Sequence, residues 1–249
     1  MRVDLNLQFL QFCENADLRT LCNILMFDNK GKIRLNQNLS RRADFFSCYP
    51  DRMVGMWKDL ASELQCYGGN TILNCLRGGY GPSYKSVVSG VCEQMRVGGI
   101  TKHDNVEEME QKLLIHVSKK AIGELDESYI RAIMDECGLH NYERSKKGLL
   151  AALMALQVIN RTLFIIVIES VMRTVSRILI GRGIMYAGVG IFSRGVGILF
   201  GPIGWLVMGG WTVWDMLGPA YRVTIPAVIQ VAYMRVKCQS MLNSTEESA

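Results

Sequence analysis

Glu63, Arg77 and Tyr84 are the residues of this chain whose types and spacing come nearest to a reactive set: a carboxyl, a guanidinium and a phenol on neighbouring helices. Such a trio would be the candidate set of an enzyme with an unrecognised helical active site. The stronger reading of the first two is structural. Glu63 precedes Leu64 on a helix running into Gly68-Gly69, and Arg77 follows on the next helix, so an ion pair between them would lock the turn. The string Arg77-Gly78-Gly79-Tyr80-Gly81-Pro82 lacks the preceding strand and the Gly-Lys-Ser/Thr of a phosphate-cradling loop. Its expected work is to let two helices meet at a sharp turn.

Other chemistries find less support. His103, His116 and His140 form no His-x-x-x-His arrangement, and Cys137 with His140 would still need two more metal ligands. No Gly-x-Ser-x-Gly elbow occurs. The chain therefore reads as non-enzymatic, with no catalytic residue, no cofactor and no metal. Its 8 cysteines contain no Cys-x-x-Cys pair and no cleavable secretory signal precedes them, which points to a reducing, cytosolic setting.

Gly181 to Gly218 holds 11 of the 24 glycines, set among large apolar residues. Gly195 to Trp214 is a run of 20 residues without a charge. As a helix it would cover roughly 30 Å, the thickness of bilayer hydrocarbon. Glycine costs a water-soluble helix about 1 kcal/mol against alanine, whereas in lipid small residues let helix backbones approach. Gly183/Ala187 and Ser193/Gly197/Gly201 have that spacing, and Pro202 divides the run into two shorter helices. The expectation is a membrane-inserting helical hairpin, with Trp205, Trp211 and Trp214 near an interface. Arg194, between the halves, must snorkel or find water. The competing reading is a Gly-rich helical pair buried in a soluble core.

Charge divides the chain in the same place. Met1 to Lys147 carries 20 basic and 19 acidic residues, whereas Gly148 to Ala249 carries 8 basic and 4 acidic. Arg173, Arg177 and Arg182 stand ahead of the glycine stretch, where they would face anionic headgroups. Nucleic acid is not an expected partner, because no basic cluster is interleaved with aromatics.

The remainder reads as helices. Leu18, Leu21, Cys22, Leu25 and Met26 form a stripe with Asp17 as N-cap, and Asn29-Lys30-Gly31-Lys32 makes a turn. Met53, Met56, Trp57, Leu60 and Leu64 build a helix face, and Asn70–Arg77 a short helix. Tyr84 to Met95 continues as a helix to Gly98-Gly99, and Asp104 or Asn105 starts another with Glu107, Glu108 and Glu110 near its positive end. Asp126 to Cys137 is amphipathic and ends at Gly138. Leu149 to Ile159 and Thr162 to Ile168 are apolar all round, too short to span, and expected as a buried or interfacial pair. The last helix, Ala220 to Cys238, contains Pro226 as a kink or a start.

The segment Glu63-Leu64-Gln65-x-x-Gly68-Gly69, followed by Leu76-Arg77-Gly78 and Tyr84, resembles the YaaW-like family of enterobacterial proteins of unknown function. The resemblance returns at Ala220-Tyr221-Arg222-Val223-Thr224-Ile225-Pro226-Ala227-Val228, continuing through Gln230 and Ala232, and Lys30-Gly31-Lys32-x-Arg34-Leu35 is similar too. It covers most of the chain and implies no established activity. Part of that family's middle region is likened to the ubiquinol-cytochrome c chaperone fold, which implies an all-helical architecture and matches no site residue here.

The expectations are an all-α chain: residues 1–45 a small helical unit, 46–147 a soluble helical domain, 148–240 an apolar Gly-rich membrane-associating region, and 241–249 a disordered tail. The expected partners are membrane lipid, a protein and, within the membrane, a second copy. The expected place is the cytoplasm, at the inner membrane.

Overall fold

The computed structural model describes residues 4–28, 31–35, 37–69, 81–181 and 221–246, and of 172, 173, 175–181 and 240–246 the backbone alone. These residues are all-α. The glycine stretch from 182 to 220 and the short helix expected at Asn70–Arg77 lie outside them.

A 3-10 helix, Leu5–Phe12, opens the chain, with the Asp4 carboxylate accepting from the Asn6 N–H at 3.0 Å. Helix α1 is Asn15–Met26. The helix starts two residues ahead of Asp17, with Glu14 at the cap position, so Asp17 falls in its first turn, where its carboxylate accepts from Lys237 Nζ at 2.9 Å. The turn after α1 closes through Gly31 at φ 72 and a bridge between Phe27 and Ile33. Single-turn α2 (Phe45–Cys48) and a 3-10 turn (Met53–Met56) lead into α3, Trp57–Tyr67. Leu60 and Leu64 recur on the buried face of α3, and the helix stops at Gly68 as the pattern requires.

Helix α4, Tyr84–Gln94, is capped by Ser83 and ends before Gly98-Gly99. Arg96 takes the left-handed conformation at φ 56, and the Val97 N–H closes on the Cys92 carbonyl at 2.9 Å. Such a closure satisfies the last carbonyls without glycine. Helix α5, Val106–Glu124, starts with a reciprocal capping box between Asn105 and Glu108. Helix α6, Glu127–Glu136, finishes at Gly138, φ 67.

The polar stretch Tyr142–Lys147 is a short turn held by an Arg144–Asp135 ion pair and by Lys146 Nζ donating to the Gly123 carbonyl at 2.8 Å. Helix α7, Lys146–Ile159, begins there with Ser145 as cap. Gly148 in its first turn lies so close to the preceding backbone that a Cβ would meet the Glu143 carbonyl oxygen at 1.8 Å. One residue, Asn160, separates α7 from α8, Arg161–Gly181. Helix α9, Tyr221–Glu246, closes the chain, with Pro226 inside it and its backbone continuing into the tail expected to be disordered.

Helix α9 is the axis of the fold. It packs against α1, α3, α4, α5, α8 and the opening 3-10 helix. Val223 through Ala232 are all buried, the polar Thr224 and Gln230 among them, as a helix enclosed on every side requires. Full burial of each large side chain there contributes about 1.5–3 kcal/mol. One contiguous core joins Leu7 and Leu18 at the front to Phe164, Ile168 and Val228 of the part read as the rear.

Helices α8 and α9 run antiparallel. Arg161 donates to Gln239 Oε1 at 2.7 Å, and Tyr233 donates to the Glu169 carboxylate further along. As the numbers rise on one helix they fall on the other, which brings Gly181 and Tyr221 to the same end.

Candidate functional site

Arg235, a lone cation on the buried part of α9, must find a partner, because an unpaired buried charge is costly. Its Nε donates to Glu110 of α5, and the two side chains are 9% and 1% exposed. Its Nη2 donates to the Asn6 carbonyl at 2.5 Å, and its guanidinium lies 4.1 Å from the centre of the Phe9 ring. The Tyr84 hydroxyl donates to Glu110 Oε1 at 2.7 Å, while the Tyr84 backbone N–H donates to Asp4 Oδ2 at 2.8 Å. Four segments therefore meet at one buried polar knot: the opening 3-10 helix, the start of α4, α5 and α9. Burial alone would lower the Arg235 guanidinium, but the Glu110 carboxylate in contact raises it. Burial, then the same carboxylate, pushes the Tyr84 phenol well up. The knot is a lock between elements, with Tyr84 kept as a neutral donor.

A second polar seam lies along α9. Lys237 Nζ bridges Glu14 at 2.8 Å and Asp17 at 2.9 Å, and Gln239 Nε2 donates to Glu107 at 3.0 Å. On α8, Ser170 donates to Glu136 of α6 at 2.7 Å.

Glu63 sits elsewhere, on the floor of a cleft of about 280 Å³ between the turn at Asn38–Arg42 and α3. Its residue is 5% exposed, and its Oε1 accepts from the Asn38 N–H at 3.1 Å. Arg41, Arg42, Asp59, Ser62 and Cys66 line the same cleft, with Arg42 paired to Asp59 at 2.9 Å. Burial pushes the Glu63 carboxyl up from 4.5 to about 7, against the opposing pull of the Asn38 N–H and the two arginines. A buried carboxyl in a cleft whose charged form is disfavoured is a candidate functional group.

The shift also fixes a pH dependence. A folded-state value above the unfolded one gives stability that is complete below about 4.5 and is lost as pH rises through about 7. Glu63→Gln removes that loss, since the amide oxygen can still accept from Asn38. Urea unfolding at pH 5 and pH 8 is expected to show the variant gaining on the parent by roughly 2.5 kcal/mol at the higher pH. Parallel stabilities at both values would refute the assignment.

The sites expected from sequence divide three ways. Gly183, Ala187, Gly197, Gly201, Pro202, Trp205, Trp211, Trp214 and Arg182 lie outside the described residues, as does Arg77, so the Glu63–Arg77 pair lies there too. Arg173 and Arg177 fall on the backbone of α8. Glu110 is the residue sequence reasoning misplaced: read as a helix-start acid, it is buried against Arg235. Its spacing carried the signal. Val106, Glu110, Leu113 and Val117 share one helical stripe, so an acid stands on the apolar face and needs a buried cation.

The first 35 residues match a family model described as a domain of unknown function, DUF3944. Over nearly its whole length the chain is similar to a UPF0174 protein of Helicobacter pylori strain J99, 32% identical over 249 residues, 96% of this chain and 93% of the relative. It is also similar to the UPF0174 protein YaaW of Escherichia coli K12, 32% identical over 235 residues, 93% of this chain and 94% of the relative. No solved structure matches the chain. Of the residues that carried the YaaW-like resemblance, Glu63, Leu64 and Gln65 lie on α3, Tyr84 starts α4 and Tyr221 to Ala232 lie on α9, while Lys30, Leu76-Arg77-Gly78 and Ala220 lie outside the described residues. At that identity over nearly the full length of both chains, this protein belongs to the UPF0174 family, of which YaaW is a member.

Proposed function

We propose that this is a non-enzymatic, membrane-associated helical protein in which the α8–α9 pair is a stem, and residues 182–220 form the hairpin that enters or lies on the cytoplasmic face of the inner membrane. The observation that carries this reading is the antiparallel register of α8 and α9, fixed by Arg161–Gln239 and Glu169–Tyr233. A long apolar excursion that leaves and rejoins a folded core at one end suits a hairpin insert. Among the described residues no helix is long and apolar enough to cross a membrane, so the reading assigns insertion to 182–220. Arg173, Arg177 and Arg182 then meet headgroups, Gly197 and Gly201 form the close helix contact, and the outcome is a membrane-perturbing effector.

A second reading is an assembly factor that holds another protein. It is favoured by the apolar edge at the far end of the stem, where Val158 and Ile159 are 80% and 77% exposed beside Met154 and Ile166.

Carbonate extraction of membranes from cells making the full chain separates the two. Cutting at Lys147 would be uninformative, because it removes α8 and α9 from the shared core. A better comparison is the full chain with Leu199→Asp and Leu206→Asp, which puts two charges into the uncharged run. At about 2.5–3.5 kcal/mol for a mid-membrane Asp, the pair is expected to move the protein from the extracted pellet to the soluble fraction. A parent that stays soluble without detergent, or a variant that pellets as the parent does, sinks the membrane reading.

A further inference from the structure

We propose that the cleft beside Glu63 is a binding site for a small oxyanion of the phosphate or sulfate type, held by Arg41 and Arg42, with Glu63 deciding whether the anion is admitted. At about 280 Å³ the cleft suits a group of a few heavy atoms and not an extended cofactor. Two successive guanidinium side chains line it, and guanidinium is the side chain whose planar fork fits an oxyanion. Arg42 is tied to Asp59 at 2.9 Å, so its charge is partly met, and Arg41 stands exposed beside it.

Glu63 supplies the selectivity. Its residue is 5% exposed and it lines the cleft, while the described hydrogen bond to it is the single Asn38 N–H at 3.1 Å. A carboxyl has more hydrogen-bonding capacity than one donor fills. As the acid it can donate to a bound oxyanion; as the carboxylate it repels one. The groups facing it are Arg41 and Arg42 from the turn, Cys22 from α1, and Asp59, Cys66 and Tyr67 from its own helix. The carboxyl changes charge at about 7, so the cleft accepts an anion below that pH and releases it above. This site does not depend on insertion of 182–220, and the two proposals fail separately.

The test uses the full chain and inorganic sulfate, whose own charge is constant between pH 6 and pH 8, titrated by calorimetry at fixed ionic strength. Saturable binding at pH 6 is expected to weaken about tenfold by pH 8, following the loss of protonated Glu63. Arg41→Gln, on an exposed side chain, is expected to weaken binding at pH 6 by about tenfold with an unchanged melting temperature. Glu63→Gln keeps a donor at every pH and is expected to bind equally at both. Phosphatidylglycerol vesicles form the second arm: loss of vesicle binding in Arg41→Gln makes the anion a lipid headgroup, and retention makes it a free oxyanion. No saturable sulfate binding at pH 6, an Arg41→Gln variant that binds like the parent, or a pH profile that Glu63→Gln leaves unaltered overturns the proposal.

Discussion

Arg235→Ala lowers the stability of the protein by about 3–5 kcal/mol, the cost of leaving a buried partner charge uncompensated. Glu110 is 1% exposed and loses the guanidinium that pairs its carboxylate, while the Asn6 carbonyl and the Phe9 ring lose their cation in the same step. The expected fall in melting temperature is roughly 6–20 °C for a chain of this size. Removing both charges together is different. Glu110→Met with Arg235→Met replaces the pair by apolar volume, and recovery of most of the loss is expected, since a buried pair is worth little over well-packed hydrophobes. Denaturant unfolding of Glu110→Met, Arg235→Met and the double variant closes the cycle. A single-variant loss under 1 kcal/mol, or a double variant no better than the singles, would show that the knot does not hold these four segments together.

Gly81→Ala is the second large effect, with an expected loss of about 3 kcal/mol from overpacking against backbone. A Cβ there would meet the Gln65 carbonyl oxygen at 2.1 Å and the Cys66 nitrogen at 2.6 Å, both main-chain atoms at the end of α3. Neither can rotate away. The Gly81-Pro82 segment and α3 must separate, which also strains the Gln65 Nε2 bond to the Pro82 carbonyl at 2.8 Å. Gly123→Ala is the control, because nothing lies within 4 Å of its Cβ position and it stands on α5. That substitution is expected to stabilise by up to about 1 kcal/mol. Equal behaviour of the two variants would contradict the close approach.

The local rules were readable wherever a cap and a period agreed. Asn105 with Glu108, Ser83 ahead of Tyr84 and Gly138 after Cys137 each mark a helix boundary by side chains a few residues apart. Helix α4 ends at Gln94, one residue short of the pattern, and Arg96 rather than Gly98-Gly99 takes the left-handed turn that stops it. A residue other than glycine can take that conformation when the neighbouring closure, here Val97 to Cys92, offsets its cost.

What local pattern could not deliver is pairing across the chain. Glu110 and Arg235 are 125 positions apart, and no spacing rule links them. The change in composition at Gly148 was legible, yet a helix apolar all round suits lipid and a protein core equally well. For Val223 to Ala232 the packing resolves that ambiguity in favour of the core. The Glu63 cleft was half visible: the carboxyl was singled out by sequence, whereas Arg41 and Arg42 reach it only because the turn after Asn38 folds over α3.

The shared end of α8 and α9 also imposes a rule of parity. Both helices belong to one folded core, so the residue before position 182 and the residue after position 220 are held on the same side of any bilayer the core rests against. Passages through that bilayer can then occur only in pairs. A single-pass topology, with the core's front on one side and its axis α9 on the other, would require pulling α9 out of the contacts it makes with α1, α5 and α8.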